Sequence, residues 1–535
     1  MGAAVIRFFN TAGPIKPDLH YCLPPLTRFD LGEVLQLIEQ QKYFVLHAPR
    51  QTGKTSVLLA LMALLNRGER YRCLYANIEG AQAYRGNVDA ALRTVVMQLA
   101  TAAEVYLGDR RVKDWALEAV REQSGGGMLA ATLTRWSLES DLPIVLLLDE
   151  VDALVGDALI SLLRQIRAGY TQRPRAFPQT IVLCGVRDLR DYRIHGPDQE
   201  VITGGSAFNI KAESLRLGNF SREEVNALYQ QHTAETGQAF ADGVLHRVWD
   251  LTRGQPWLVN ALAYETCFKL KAGRDRAQAI TVEMIEQAKE NLIQRRETHL
   301  DQLADKLREP RVHRVISRLI GGDIPDVTLP TDDLLYVQDL GLVTLTPQIA
   351  IANALYQEII PRELTWSTQV TLAQNSIWYI RPDGGLDLPK LLAAFQQFFR
   401  EHADSWLERF DYKEAGPQLL LQAFLQRIVN GGGHIDREYG LGQKQTDLLV
   451  QWPLDTTQGF LGPVQRVVIE LKLLHKSLDA TLREGLAQTA DYLDRTSASE
   501  GHLLIFDRRP GIAWEQKIFQ REEIHGPYQI RVWGM

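Results

Sequence analysis

Apolar positions in the amino-terminal part of the chain come in short, nearly continuous runs: Tyr43 to Leu46, Tyr71 to Asn77, Pro143 to Leu148 and Gln179 to Val186. Runs of this kind, with no regular polar alternation, belong to strands buried on both faces. Between them the spacing turns helical, over Leu31–Gln40, Val57–Leu65, a long stretch after Asn77 broken at Ser124-Gly-Gly-Gly127, and Asp157–Ala168. Strand and helix in alternation predict an α/β domain with a doubly wound sheet and its ligand at the carboxyl ends of the strands. Residues 1–30, rich in Pro and Gly, read as an irregular arm, whose His20 and Tyr21 pack it down or, as the alternative, stack near a nucleotide base. From Leu215 to about residue 300 the pattern is helical, entered through the capping box Ser221-Arg-Glu-Glu224.

Farther on, helices are predicted over Arg311–Ile320 and Thr331–Gly341, then two short strands, Leu342–Thr346 and Ala350–Asn353, with Pro361 ending the segment. Two helices and a ribbon fit a winged-helix-like module. Asp332, Asp333 and Asp339 on its second helix disfavour contact with phosphate there, so it reads as a packing or relay module. A polar stretch from Thr365 to Leu388 marks a boundary. Helices over Pro389–Phe410 and Gly416–Val429 follow, the second closed by Gly431-Gly-Gly433. Strands then start at Ile435 and cover Gln445–Trp452 and Arg466–Leu474, before a helix over Leu482–Leu493.

The first strand runs into Ala48-Pro-Arg-Gln-Thr-Gly-Lys-Thr-Ser56 and a helix. In such a loop the main-chain N–H groups of Ala48, Pro49, Arg50, Gln51, Thr52, Gly53 and Ser56, less that of proline, surround phosphate oxygens. Gly53 permits close approach, Lys54 reaches the outer phosphates and Thr55 offers its hydroxyl to magnesium. The stretch resembles the P-loop of nucleotide triphosphatases, with Ala48 where the first glycine stands; alanine forbids only positive-φ conformations. Asp149 and Glu150 end the third apolar run. Asp149 is positioned to hold the magnesium shell and Glu150 to orient or deprotonate the attacking water. Arg187, Arg190 and Arg193, after the fourth run, are candidates to sense the terminal phosphate, or else form a solvated face. Thr252-Arg-Gly-Gln-Pro-Trp resembles the Gly-x-Pro element of signal-transduction ATPases and the related archaeal-type AAA+ ATPases. That resemblance implies that Gly254 and Pro256 report the bound nucleotide; an ordinary interhelical turn is the alternative.

In Arg466-Val-Val-Ile-Glu-Leu-Lys472 the side chains alternate, so Val467, Ile469 and Leu471 take one face and Glu470 and Lys472 the other. With Asp447 on the neighbouring strand, Asp447 and Glu470 can chelate a divalent metal and Lys472 can activate a water beside a phosphodiester. Gln488 and Tyr492 share one helix face. The order of strand Asp, strand Glu-x-Lys and helix Gln-x-x-x-Tyr resembles the PD-(D/E)xK nucleases. The resemblance gives catalytic roles to Asp447, Glu470, Lys472, Gln488 and Tyr492, and Glu438 matches an extra acidic position of some members. Thr446 stands where the family's proline would. The competing reading is an ion pair on a solvent face of a domain that only binds.

A net charge of −6 over 535 residues removes any global nucleic-acid signature. Local contact would rest on Arg437, Lys444, Arg466, Lys476, Arg483 and Arg495, unless these pair with Glu484, Asp491 and Asp494. Cys22, Cys73, Cys184 and Cys267 match no zinc spacing and read as reduced. No apolar run approaches the twenty residues of a membrane span, so a cytoplasmic protein is expected. As a whole the chain resembles bacterial fusions of an AAA-like ATPase, of archaeal or STAND type, with a carboxyl-terminal PD-(D/E)xK nuclease-like domain. Its expected parts are an arm (1–30), P-loop ATPase domain (31–215), helical lid (216–300), winged-helix-like domain (301–365), linker (366–388) and restriction-endonuclease-like α/β domain (389–535). The resemblance implies ATP and Mg2+ as cofactors, nucleic acid, DNA first, as partner, and a homo-oligomer through the ATPase domain. It implies an ATP-regulated nuclease in defence against foreign nucleic acid; the alternative is a non-nucleolytic switch that only binds nucleic acid or protein.

Overall fold

The structure is a computed structural model that describes residues 7–84, 86–188, 193–195, 201–203, 211–295, 303, 305–307, 309–321, 329–364, 379–409, 421, 424–425, 433–439, 446–455, 459–474, 477–507, 509 and 512–535. It divides into two compact units, Met1–Gln294 with Leu334–Val343, and Arg295–Asp333 with Thr344–Met535.

The first unit is built on five strands, β1 (Tyr43–His47), β2 (Arg72–Asn77), β3 (Ile144–Asp149), β4 (Thr180–Gly185) and β5 (Lys211–Arg216), all parallel and in the order β2-β3-β4-β1-β5. The apolar runs split by alternation. Tyr43, Val45, Leu74, Leu146, Leu148 and Leu183 enter one core, with helices α3 (Val88–Leu107), α4 (Arg111–Glu122), α5 (Met128–Leu138) and α6 (Gly156–Ala168). Phe44, Leu46, Cys73, Tyr75, Val145, Leu147 and Cys184 enter the other, with α1 (Leu31–Glu39) and α2 (Lys54–Arg67). Both faces are covered, as a parallel sheet requires. β5 carries Lys211, Glu213 and Arg216 and has no apolar run to reveal it; it pairs with β1, and Leu215 packs against the core shared with α1 and α2.

Four helices follow: α7 (Arg222–Thr236), α8 (Val244–Thr252), α9 (Pro256–Tyr264) and α10 (Val282–Arg295). The expected capping box opens α7, with Ser221 and Glu224 each accepting the other's main-chain N–H. The arm is less irregular than its composition suggests. Phe8–Phe9 and His20–Tyr21 pair in parallel, and Phe9 and Tyr21 pack on His232 of α7 with ring centroids 5.8 and 5.6 Å away. His20 and Tyr21 are both buried and thus tie the arm down.

The stretch expected to be winged-helix-like contains α11 (Pro310–Gly321), α12 (Thr331–Asp339) and the short strands Val343–Thr344 and Ala350–Ile351. Asp333 is engaged by Arg311 (2.8 Å) and Arg314 (2.5 Å). Pro361 does not close the segment: α13 runs from Ala354 to Leu364 straight through it. A proline there removes one i→i−4 hydrogen bond near the end of a helix, where packing of Leu355, Ile359 and Ile360 outweighs the loss.

The second unit has a mixed six-stranded sheet: β6 (His434–Tyr439), β7 (Thr446–Pro453), β8 (Val464–Leu473), β9 (Glu500–Phe506), β10 (Phe519–His525) and β11 (Tyr528–Gly534), in the order β6-β7-β8-β9-β11-β10. β6 and β8 flank β7 antiparallel, and β9 lies parallel to β8. Helix α14 (Leu388–Arg409) shares a core with Val467, Ile469 and Leu471 on one face. Helix α15 (Leu478–Thr496), capped by Ser477, shares another with Val468, Leu503 and Ile505. Of the second predicted helix only Leu421, Phe424 and Leu425 lie among the described residues, and Gly431 and Gly432 lie outside them. No helix of the described residues is long and apolar enough to cross a membrane. Cys73, Cys184 and Cys267 are buried, Cys22 is half-buried, and all four are free.

Candidate functional site

The loop from Ala48 to Thr55 joins β1 to α2 at the carboxyl end of the sheet. Its left-handed residues are Gln51 (φ 57°) and Gly53 (φ 93°). Ala48 is not among them and is fully buried, donating its N–H to the Gly185 carbonyl at 3.2 Å. The missing first glycine therefore costs no backbone strain. Lys54 is buried and folds over the loop, its ammonium donating to the carbonyls of Ala48 (3.0 Å) and Pro49 (3.1 Å). Thr52 Oγ1 donates to the same Pro49 carbonyl at 2.7 Å, which tightens the loop from within.

β4 separates the strands that carry the loop and Asp149, yet the two motifs meet. The Thr55 hydroxyl donates to Asp149 Oδ2 at 2.7 Å, and Asp149 is fully buried. Tyr75 of β2 donates to the same oxygen at 3.0 Å, and Asp149 Oδ1 accepts the N–H of Glu150. A hydroxyl and a carboxylate oxygen converging at a helix amino terminus fit a magnesium ion. Glu150 sits in left-handed backbone (φ 58°), an uncommon conformation that turns the chain sharply out of β3. Burial pushes its carboxyl above the usual glutamate range, and the Lys54 charge opposes that rise.

Asp152 and Tyr75 were not singled out by the sequence. Asp152 accepts the N–H of Val186 and lies 4.0 Å from the Arg187 guanidinium. Gly185 makes room for it, since a Cβ there would stand 2.6 Å from Asp152 Oδ2. Arg187 also stands over the Tyr336 ring, 5.2 Å from its centroid. Arg190 lies outside the described residues, and of Arg193 only the backbone, in a two-stranded ribbon, is described.

Gly254 and Pro256 form the turn between α8 and α9. Gly254 has φ 73°, and a Cβ on it would lie 2.0 Å from the Phe220 carbonyl. Pro256 begins α9 and, with Trp257 and Asn260, lines one cleft together with Gln51, Thr52 and Gly53 of the phosphate loop. The turn thus adjoins the loop. Gly254→Ala should lower stability by at least about 1 kcal/mol, since alanine is both strained and blocked here. A thermal melt unchanged from wild type would contradict the close approach.

In the second unit Glu470 and Lys472 occupy the face of β8 shared with Val468 and turned to α15. They are not on a solvent face: Glu470 is 0% and Lys472 7% exposed. Their charges lie 2.8 Å apart. Apart from that ion pair, neither Glu470 oxygen has a hydrogen-bond donor among the described residues. A buried carboxylate so sparsely satisfied fits a divalent cation, which would supply the missing ligation. The antiparallel register pairs Leu448 with Ile469, so one residue on, Asp447 takes the register position opposite Glu470. Glu438 pairs with Asp447 across β6 and β7. The side chains of Asp447 and Glu438 lie outside the described ones. Among those described, no three His, Cys, Asp or Glu side chains gather as a metal cluster. On α15, Tyr492 is buried, and the buried Gln488 Oε1 accepts no hydrogen bond among the described residues. Of the local cations, Arg495 pairs with Asp491 at 2.7 Å across an exposed helix turn, and Arg483 donates to the Asp479 carbonyl. Lys444, Lys476 and the Arg437 side chain lie outside the description.

A protein-family model described as an AAA-like domain matches residues 32–361. Solved structures similar to the chain include a Walker-type ATPase of Pyrococcus abyssi, 17% identical over 64% of this chain and 99% of that one, TM-score 0.43. Cdc6p of Pyrobaculum aerophilum is 16% identical over 67% and 97%, TM-score 0.36. The Thermotoga maritima RuvB Holliday junction branch migration motor is 14% identical over 62% and 95%, TM-score 0.32. No curated protein matches.

Proposed function

The chain belongs to the AAA-like domain family, and from that premise we propose that it is an ATP-regulated, magnesium-dependent nuclease that hydrolyses phosphodiester bonds of DNA. ATP with Mg2+ is held by the loop from Ala48 to Ser56, with Thr55 and Asp149 at the ion. Glu150, whose carboxyl burial makes more basic, accepts a proton from the water that attacks the terminal phosphate. Glu470 and Asp447 would hold the second ion, which would neutralise phosphate charge and lower the pKa of water there. Lys472, 2.8 Å from Glu470, orients or activates the attacking water beside the scissile phosphate.

The observation that carries the nuclease reading is the burial of Glu470. A carboxylate kept ionised for structure alone is normally ringed by donors, because an unsatisfied buried charge costs several kcal/mol. Among the described residues Glu470 meets the ammonium two residues away and no hydrogen-bond donor, in a strand whose register brings Asp447 opposite it. A metal site explains both features. Homo-oligomerisation through the ATPase domain belongs to the same proposal and is read by size-exclusion chromatography with and without ATP.

The direct test is nicking of supercoiled plasmid by the purified full chain with Mg2+, with and without ATP, against an EDTA control. Cleavage that needs the metal and changes with ATP is expected. Retention of plasmid without any cleavage would instead make the second unit a binding module.

A further inference from the structure

Arg28 lies at the end of the arm, after the short turn Pro25–Thr27, where composition marks nothing functional. Its guanidinium donates to the main-chain carbonyl of Thr52, in the phosphate loop, at 2.7 Å. Another of its N–H groups donates to the carbonyl of Gly218, on the segment leading from β5 to the lid. The guanidinium carbon stands 4.6 Å from the centre of the Phe220 ring on that same segment. Burial pulls the guanidinium down to about 10, so it stays charged at neutral pH. Among the described residues no carboxylate lies within ion-pair distance of it. The acid that acts on it electrostatically, Glu224, is engaged 2.7 Å from the N–H of Ser221.

A planar fork with two separate acceptors fixes the distance between the segments it touches, which a lysine ammonium on a flexible stem does not. The segment it holds is itself clasped to the Gly-x-Pro turn. The Phe220 N–H donates to the Gly254 carbonyl at 2.9 Å, and Gly254 lacks the Cβ that would strike the Phe220 carbonyl. Contact is therefore continuous from Thr52 through Arg28 and Phe220 to Gly254 and Pro256.

We propose that Arg28 is a positioning residue that couples the phosphate loop to the helical lid, so that ordering of Thr52 and Gly53 by a nucleoside di- or triphosphate is transmitted to the Gly254–Pro256 turn. The inference rests on the nucleotide reading of the P-loop. Phosphate oxygens that draw the N–H groups of the loop inward reorient its carbonyls, and Arg28 follows the Thr52 carbonyl. By linkage, a lid held in one position favours one state of the loop in return.

Hydrogen exchange of the full chain, read for peptides covering residues 48–56 and 244–264, tests this with saturating ADP or a non-hydrolysable ATP analogue. In wild type the nucleotide is expected to slow exchange severalfold in both peptides. In Arg28→Ala and Arg28→Lys it should slow the loop peptide alone, with affinity within about tenfold of wild type. Lid protection equal to wild type in both variants would overturn the coupling. So would loss of all nucleotide binding with an unchanged melting profile, which would make Arg28 part of the binding site. If the alanine variant does not fold, the lysine variant decides. No protection of the loop peptide in wild type would instead overturn the nucleotide reading itself.

Discussion

Lys472→Ala is expected to abolish metal-dependent cleavage, by about 10²- to 10⁴-fold, the range for losing a group that moves or orients a proton in the transition state. The same change leaves a fully buried Glu470 without its cation. An uncompensated buried charge costs about 3–5 kcal/mol, so the variant should also melt earlier in EDTA. Mg2+ or Ca2+ should restore part of that loss by binding the carboxylate. Glu470→Gln with Lys472→Met removes both charges at similar volume. It should be near wild type in EDTA, inactive, and indifferent to added metal, as replaced buried ion pairs often are in stability. Cleavage by Lys472→Ala at the wild-type rate would move the active site elsewhere. Metal-insensitive melting of both wild type and Lys472→Ala would sink the metal site.

Lys54→Ala should reduce nucleotide affinity at least about 100-fold, since a charge-assisted contact to phosphate is lost from a buried position. The loop should also loosen, because the lysine ammonium gathers the Ala48 and Pro49 carbonyls. Glu150→Gln should separate binding from turnover. Affinity by calorimetry should stay near wild type, and phosphate release should fall about 10²- to 10⁴-fold, as expected for loss of a general base. Wild-type affinity in Lys54→Ala would show that the loop holds something other than a nucleotide.

Much of the architecture was legible in the pattern of residues. β1 to β4 announced themselves because strands buried on both faces admit few polar side chains. β5 and β10 gave no such signal. β5 pairs with β1 along one edge and brings Leu215 against the core, and β10, with Ile524 81% exposed, lies at an edge of its sheet. The helices Pro310–Gly321 and Thr331–Asp339 were readable from helical spacing, but α13 continued past Pro361 because tertiary packing overrode a local breaker.

At the sites, the sequence by itself determined which chemical groups exist and on which side of a strand they fall. Lys54, Thr55, Asp149 and Glu150 follow from a strand–loop–helix and a strand end, and Glu470 and Lys472 share a face because the strand period is two. Only the tertiary structure decided what those groups meet. Tyr75 reaches Asp149, Asp152 holds the end of β4, and Arg28 joins Thr52 to Gly218, which lies 190 residues beyond Arg28 in the chain. It also decided that the Glu470–Lys472 pair lies under α15 and not in water. Spacing along a chain carries the local geometry of strands and helices; burial and hydrogen bonding between distant segments exist only once the sheet and its covering helices have assembled.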